Sequence, residues 1–403
     1  MSGFDVAQVR GFDVAHVRGL YPTLGSGTSY LEGSLAALQP ESVVRAVISS
    51  LRSAPAQPGS WSARSRLAQR SAELARQAIA DLTGGAPQDV ALGGNVADLM
   101  LRLVTVLAED WQLGDEIVLN RFDSDLYLRT WRRHARDKGV VVRWAEVDLE
   151  SGELPAWQYE RLIGPRTRIV TVALGNPITG TVPDLYAIAQ QAHRRGALVI
   201  VDASAAVNHL PLDLADFDVD VLLLSAAAFG GPSAAAFVMR PGLRQELDAI
   251  TANFEPGSLP IELLDGVTAA VDHLAALDQA ASGSRRNRLL HSVSTAGEHT
   301  STLQSVLADG LGALRGVTVI GTSSERLPIT SFTVEGRHPH QVADALAARR
   351  LSVWTGPIYL TELATSLGLD DVGGAVHVGL MPYNNRGDVD RLLQALVELV
   401  GGG

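Results

Sequence analysis

The sequence contains no cysteine at any of its 403 positions. Disulfides, thiolate nucleophiles, persulfides carried by the protein and cysteine-ligated zinc or iron–sulfur clusters are therefore excluded. Lysine is almost as scarce, because Lys138 is the only lysine among the 33 Lys and Arg residues. Any chemistry that needs a lysine side chain has this one candidate.

Positive charge and long apolar runs are also lacking. The 33 basic residues are outnumbered by 44 acidic ones, which gives a formal net charge of -11. Nucleic-acid binding through a basic face is therefore not expected. No apolar run reaches the roughly 18 residues that a membrane span needs, and the N-terminus has no basic segment followed by a hydrophobic one. We expect no membrane partner and a cytoplasmic location.

The composition that remains is that of a folded globular protein, with 46% hydrophobic and 19% charged residues. A chain of this length can bury a sizeable core without a metal or a disulfide. The segments GFDVAQVR and GFDVAHVR, at 3–10 and 11–18, repeat eight residues and are too short to be a structural repeat. We predict a duplicated N-terminal segment at 1–20, a large α/β domain at 21–255 and a smaller C-terminal α+β domain at 256–403.

The first part of the chain alternates between β-rich apolar runs and amphipathic helical patterns. Such alternation is typical of a mainly parallel sheet that is covered by helices on both faces. The predicted strands are 116–120, 140–147, 168–174, 197–203 and 219–226, and the predicted helices are 95–108, 124–137 and 184–195.

The pattern changes after MRPG at 239–242, and EPGSLP at 255–260 is a turn-rich link. A long helical stretch over about 262–314 follows. The remaining predicted elements are strands at 317–320, 329–336, 351–354 and 375–380 and helices at 340–349 and 386–399.

Five separated segments resemble, in order and spacing, the class V aminotransferase or cysteine desulfurase-like branch of the pyridoxal-phosphate (PLP) enzymes. The resemblance implies the PLP-dependent transferase fold (fold type I), with a large domain around a mainly parallel sheet and a small C-terminal domain. It also implies a homodimer with sites at the subunit interface. The segments are RFDSDLYLRTW (121–131), VDASAAVNHLPLDL (201–214), LLLSAAAFGGP (222–232), VEGRHPHQVADALAARRLSVW (334–354) and HVGLMPYNN (377–385).

The lysine that holds PLP in this family is missing. In the family, a motif of the Ser-Ala-Tyr-Lys-Phe type supplies that lysine, and the imine it forms makes the cofactor an electron sink. Here the segment is SAAAF at 225–229, so the resemblance places Ala228 at the lysine position. Lys138 lies in RDKG, which is typical of a solvated helix end. We therefore expect no cofactor.

Other parts of the family's cofactor shell are changed as well. The resemblance places Ser124 where the family has a histidine that stacks on the pyridine ring, and His377 where it has an arginine that binds a substrate carboxylate. The helix N-terminus that would receive the phosphate is GNVAD at 94–98, where Asp98 would repel a phosphate.

Three polar positions of the family site remain. By resemblance, Asp202 corresponds to the partner of the pyridinium nitrogen, Asn176 to a residue near the cofactor ring and Ser225 to a phosphate contact. A carboxylate at the carboxyl end of a central strand lies where open α/β sheets bind ligands. These residues either cap loops or line a cavity that still binds a ligand. In the second case Asp202 is a general base or an orienting carboxylate.

Further candidates come from the same resemblance. Tyr383 and Asn384 border the cavity in the family, and Trp354 and Tyr359 correspond to positions where the small domain closes over it, although plain aromatic packing is an equal alternative. Asp123 and Asp125 flank Ser124. On a strand they would share a face, whereas at a helix start, which we favour, they would act as caps. His209, His338 and His340 lack an evident third ligand, so no metal site is expected.

These observations lead to a PLP-independent enzyme of the lyase, isomerase or cyclase type. It would act on a small molecule, such as a specialised metabolite, with Asp202 and His377 as proton-transfer groups. The main alternative is a non-catalytic protein, either a partner subunit of a lysine-bearing relative or a ligand-binding regulator. PLP use without an imine is the third hypothesis, and it is disfavoured because three parts of the cofactor shell are altered together.

Overall fold

The structure is a computed structural model that describes residues 12–53, 56–247 and 260–401. The first copy of the duplicated segment and the predicted domain boundary between 255 and 256 lie outside these residues. The described strands, numbered along the chain, are β1 Ser29–Tyr30, β2 Val90–Gly93, β3 Glu116–Asn120, β4 Val141–Ala145, β5 Thr167–Ala173, β6 Leu198–Asp202, β7 Val221–Ser225, β8 Ala235–Met239, β9 Val317–Ile320, β10 Ile329–Val334, β11 Leu351–Ser352, β12 Trp354–Gly356 and β13 Ala375–Gly379.

Helices fill most of the intervals between these strands. The described α-helices are α1 Val14–Gly19, α2 Glu41–Arg52, α3 Ala63–Thr83, α4 Val96–Leu107, α5 Asp125–Lys138, α6 Tyr159–Leu162, α7 Leu185–His193, α8 Leu243–Glu246, α9 Ile261–Leu274, α10 Arg285–Gly312, α11 Pro339–Ala347, α12 Thr361–Ser366 and α13 Arg386–Gly401. In the described part of the chain, no helix is long and apolar enough to cross a bilayer.

A seven-stranded sheet forms the larger layer, in the order β2-β8-β7-β6-β5-β3-β4. Strands β3 to β7 pair in parallel, whereas β8 is antiparallel to both of its neighbours. Alternate residues of β3 serve the two faces, since Ile117 and Leu119 pack with α4 and α5 while Val118 packs with the cluster that includes α3 and α7. The predicted mainly parallel sheet with two covered faces is confirmed.

A second, antiparallel sheet has the order β12-β13-β10-β9 and packs against α10, α11 and α13. A separate two-stranded pair joins β1 to β11 in parallel. Residues near the start of the chain therefore contact residues more than 300 positions later.

Two of the element predictions are wrong. The long helical stretch at 262–314 is two helices, α9 and α10, because Gly283 adopts φ +90° and the side chain of Ser284 accepts from Asn287 N to begin a new helix. The strand at 351–354 is divided between β11 and β12, which pair with different partners, β1 and β13.

Candidate functional site

A cavity of about 160 Å³ lies at the carboxyl ends of the parallel strands. Open α/β sheets bind ligands at this edge. Its walls include residues 33–35 from the N-terminal region, 122–124 after β3, Asp202 and Ser204 after β6, and 358–360 from the C-terminal region. Segments from both the N-terminal and the C-terminal regions of the chain therefore complete the walls of one site.

Asp202 is the last residue of β6 and faces this cavity. Its Oδ1 accepts a hydrogen bond from Ser204 N at 2.9 Å, and the hydroxyl groups of Ser204 and Tyr127 lie near its carboxylate and favour its ionised form. Burial raises the pKa of Asp202, and these donors oppose the rise by stabilising the charged form. Asp202 is thus a desolvated carboxylate that is held in place by several donors.

Asp123 provides a second carboxylate from the loop after β3, and its residue is only 4% exposed. Its Oδ2 accepts from Asn120 Nδ2 at 2.9 Å and from the Thr171 hydroxyl. Burial raises the pKa of Asp123 to about 7, the negative charge of Asp202 adds to the rise, and the bonds from Thr171 and Asn120 oppose it.

The predicted capping role of Asp123 is therefore wrong, because its carboxylate is buried in contacts with two neighbouring strands. The side chain of Ser124 is the cap of α5 and accepts from Leu126 N. Asp125 begins the helix, but its carboxylate bonds to a distant segment.

Tyr127 lies in the first turn of α5 and lines the cavity, with its hydroxyl near the Asp202 carboxylate. Burial, together with the charges of Asp202 and Asp123, raises the pKa of Tyr127 well above its ordinary value. The phenol therefore stays protonated and remains a donor. Sequence reasoning missed both Tyr127 and the buried role of Asp123. The signal available in the sequence was that polar residues follow the apolar strand β3.

The segment 358–360 covers the cavity in a strained conformation. Ile358 and Tyr359 have φ angles of +38° and +62°, values that non-glycine residues rarely adopt. Asp125 holds this segment in place: its backbone N–H donates to Tyr359 O at 2.9 Å, and its Oδ2 accepts from the Thr361 hydroxyl at 2.7 Å. Glu362 adds ion pairs to Arg121 and Arg132.

The opposite wall combines close backbone packing with an alanine. Gly33 N donates to Gly379 O at 3.1 Å, and a Cβ at Gly33 would come within 2.3 Å of the Met381 side chain. Only glycine fits there. Ala228 lines the cavity as well, and its carbonyl accepts from Asn208 Nδ2 at 2.6 Å.

The structure brings together only some of the residues predicted from the sequence. Asp202, Ser124 and Tyr359 line the cavity, as does Ala228. Ser225 ends β7 next to it, where its backbone N–H donates to Ser204 Oγ at 2.9 Å.

Asn176 is fully buried in the turn after β5. Its Oδ1 accepts from Ile178 N and Thr179 N at 2.8 and 2.9 Å, which is typical of a residue that shapes a turn. Its Nδ2 has no partner in the described part of the chain.

His377 lies on β13 within the antiparallel sheet and is not among the residues that line the cavity. Its Nε2 donates to Gly356 O at 2.6 Å, and its Nδ1 is 2.6 Å from Ser331 Oγ. Burial lowers the pKa of His377 to about 4, although the bond to Gly356 opposes this. The imidazole is therefore neutral, and the contacts of its two nitrogens connect β13 to β10 and β12.

The remaining aromatic and amide candidates lie in the surrounding framework. Trp354 pairs with His377 across the strands and is 42% exposed. The buried Tyr383 packs edge-on against Tyr21. Asn384 donates to Tyr30 O at 2.9 Å and accepts from the backbone N–H of Met381. None of the three is among the residues that line the cavity.

The other three histidines considered from the sequence, His209, His338 and His340, contact no carboxylate in the described part of the chain. His209 is buried, and burial lowers its pKa to about 3. His338 caps α11, where its Nδ1 accepts from His340 N. Within residues 12–53, 56–247 and 260–401, no group of three or more His, Asp or Glu side chains could hold a metal ion.

The charge of the cavity has one sign. Asp123 and Asp202 face it, whereas none of the described residues that line it is Lys, Arg or His. Lys138 is at the other end of α5, where its Nζ donates to Glu109 O at 3.2 Å. At 1.5 Å of rise per residue, that is about 20 Å from the start of the helix.

Comparisons with known proteins give a consistent family. A family model described as aminotransferase class-V matches residues 29–392. An uncharacterized protein of Mycobacterium tuberculosis is 36% identical, over 98% of this chain and 99% of its own length.

Two solved structures are similar in fold. The apo structure of a cysteine desulfurase from Thermococcus onnurineus NA1 has a TM-score of 0.85 at 21% identity, with full coverage of both chains. A C-DES mutant, in which a lysine is replaced by alanine and glycine is covalently linked to the PLP cofactor, has a TM-score of 0.77 at 20% identity and covers 94% of this chain and 99% of its own. At these identities the likeness concerns the fold alone.

The cavity residues do not fit PLP. The cofactor carries a phosphate that needs cationic or N–H donors and an aldehyde that needs an amine. Lysine loss alone does not decide the matter, because the C-DES mutant holds PLP as a glycine adduct with alanine in place of a lysine. The described lining residues include two carboxylates and no cationic side chain, so this chain offers a phosphate no side-chain cation in the cavity.

Proposed function

The chain belongs to the aminotransferase class-V family, and we propose that it is an enzyme that uses the cavity of this scaffold without PLP. Its fold is the PLP-dependent transferase fold predicted from the sequence. The proposal depends on one observation, which is that Asp123 and Asp202 face the same cavity, whose described lining residues include no cationic side chain. Acid–base chemistry on a small molecule is the activity that this arrangement supports best.

Two carboxyl groups in different surroundings can divide the roles of acid and base. Asp202 accepts several hydrogen bonds that favour its ionised form, which suits a general base. The pKa of Asp123, about 7, lets it carry a proton near neutral pH, which suits a general acid. In an elimination, isomerisation or cyclisation, Asp202 takes a proton from the substrate while Asp123 gives one to the leaving or accepting atom.

Tyr127 orients this pair. The first turn of α5 places its hydroxyl beside the Asp202 carboxylate, where it favours the ionised form of that carboxylate. Asp123 takes the place in this scheme that sequence reasoning gave to His377. A proton-transfer role for His377 stays a prediction, and the occupied nitrogens of its ring favour a structural role.

We also propose a homodimer, as the family resemblance implies. An exposed apolar stripe on α2 supports it: Val44, Ile48 and Leu51 follow one helix face and are 36%, 41% and 56% exposed. Sedimentation equilibrium should give a dimer for the full chain and a lower mass for Ile48→Glu. A monomeric parent protein would contradict this part of the proposal.

Turnover is tested with a library of small molecules, including amines, alcohols and carboxylic acids, whose consumption is followed by mass spectrometry. For any substrate found, Asp202→Asn and Asp123→Asn should each lower kcat/KM by about 100-fold or more. Asp98→Asn is the matched control, because Asp98 pairs with Arg102 on the surface of α4, away from the cavity.

The outcome also decides between enzyme and binding protein. Ligand binding with no turnover of any bound compound would favour the alternative of a regulator or partner subunit. Turnover that survives both cavity substitutions would contradict the assignment of the acid and the base.

A further inference from the structure

The cavity has a charge preference that restricts what it can bind. An anionic ligand would have to share it with two carboxylates, and the described part of the chain supplies no cationic side chain to the cavity wall. Burying a charge without a partner is costly. A ligand that carries a positive charge would instead supply the partner that these carboxylates lack.

One carboxylate oxygen of Asp123, Oδ1, accepts no hydrogen bond from the described residues. Both donors that reach this carboxylate, Asn120 Nδ2 and the Thr171 hydroxyl, bond to Oδ2. No donor from the described residues reaches Oδ1. An ammonium group has three N–H donors and no acceptor, which matches such a set of oxygens.

A second unsatisfied group lies in the same wall. Ser34 lines the cavity, is 4% exposed, and its Oγ has no hydrogen-bond partner in the described part of the chain. Buried hydroxyl groups without partners are uncommon, so each needs an explanation. This oxygen is closed off from the open space of the cavity, so a bound molecule reaches it only if the Ser34 side chain rotates.

The rest of the cavity wall is apolar, and the cavity is small. Phe122, Leu35, Ile358 and Leu360 line the cavity beside the polar residues. Its volume of about 160 Å³ is smaller than the roughly 300 Å³ at which pockets for drug-sized ligands begin. The ligand is therefore small, with a short apolar body.

We propose that the cavity binds a small primary amine, with its ammonium group between Asp123 and Asp202 and its apolar body against Phe122 and Leu35. This inference rests on the proposed function and deepens it by naming the substrate class. It also predicts discrimination against α-amino acids, because no cation in the described wall would pair with their carboxylate.

The test is isothermal calorimetry of the full chain with four probes of one size class: benzylamine, benzyl alcohol, benzoate and phenylglycine. We expect benzylamine to bind at least tenfold more tightly than each of the other three. Asp202→Asn and Asp123→Asn should each weaken benzylamine at least tenfold, and Asp98→Asn should leave its affinity unchanged.

Several outcomes would overturn the inference. Binding of benzoate, inorganic phosphate or PLP as tight as that of benzylamine would overturn it, and so would a benzylamine affinity that survives both carboxylate substitutions. If a carboxylate variant does not fold, the ranking of the four probes by affinity for the unmodified protein decides the test alone.

The two proposals fail in different ways. Amines that bind and are never converted would support this inference and remove the proposed catalysis. An anionic compound that is bound and converted would remove this inference and leave acid–base catalysis in place.

Discussion

Asp123, after strand β3, and Asp202, at the end of strand β6, face one cavity, and the charge of Asp202 adds to the burial that raises the pKa of Asp123 to about 7. Two like charges so placed are unfavourable when both groups are ionised. Near neutral pH Asp123 is therefore partly protonated, which reduces the repulsion between the two groups.

Replacing Asp123 by asparagine should change how stability depends on pH. The pKa of Asp123 is higher in the folded protein, about 7, than in the unfolded chain, about 3.9. The folded state therefore binds the proton more tightly than the unfolded chain does. The stability that this group contributes is fully present below pH 3.9 and is lost as pH rises through 7. Between pH 5 and 8, the free energy of unfolding of Asp123→Asn should rise by up to about 3 kcal/mol relative to that of the parent protein.

Urea unfolding at several pH values measures this difference. The buried histidines titrate in both proteins, so their effects cancel. A difference between parent and Asp123→Asn that stays constant from pH 5 to 8 would show that the carboxyl group has an ordinary pKa.

Restoring a lysine at position 228 should not restore PLP binding. An ammonium group at this position would face the two cavity carboxylates, which favour its charged form and so deplete the free amine that attacks an aldehyde. The phosphate would still lack a cationic side chain. With stoichiometric PLP and borohydride, we expect no PLP adduct on Ala228→Lys and no visible absorption band.

Lys138→Arg provides the matched background, because it removes the only native lysine side chain. In the double variant, the introduced lysine is the only side-chain amine. A stoichiometric adduct on the peptide that contains position 228 would mean that lysine loss alone separates this chain from its PLP-binding relatives.

His377→Ala should destabilise the protein by about 3 kcal/mol, because it removes two buried hydrogen bonds and leaves a cavity in the antiparallel sheet. The pKa of His377 is lowered by burial to about 4, below the unfolded value of about 6.5. Its contribution is therefore present above pH 6.5 and is lost as pH falls toward 4, so the destabilisation should shrink on acidification.

Thermal and urea unfolding at pH 5 and pH 7.5 test this, with the exposed His340→Ala as the control. If benzylamine affinity fell while stability stayed the same, His377 would act on the ligand and not on the fold.

Tyr359 offers a paired test of backbone strain. Both Tyr359→Ala and Tyr359→Gly remove a side chain that is 67% exposed, but only glycine adopts φ +62° without a steric penalty. The glycine variant should therefore be about 1 kcal/mol more stable than the alanine variant in urea unfolding. Equal stabilities would indicate that residue 359 relaxes to an ordinary φ angle.

Much of the fold could be predicted because local patterns determine it. Strand β3 is found at the predicted residues 116–120, since its apolar run is buried on both faces. The break between α9 and α10 depends on the left-handed Gly283 and the cap at Ser284, within a stretch whose helical pattern otherwise continues. Patterns of hydrophobicity do not show such a local stop.

The site was predicted less completely, because it depends on contacts between distant segments. Asp202 could be found at the end of an apolar strand. Asp123 could not be separated from a helix cap, since its burial depends on Thr171 in β5. The place of His377 depends on its pairing with Ser331 and Gly356, which no local pattern contains.

The covering segment at 358–360 and the wall at 33–35 are more than 300 residues apart in sequence, yet both enclose the same small volume. A molecule bound there touches the two ends of the chain at once. Its binding free energy therefore adds to the stability of their association and raises the midpoint of unfolding with ligand concentration. A simple thermal-shift screen can thus report occupancy of this chamber before any reaction is known.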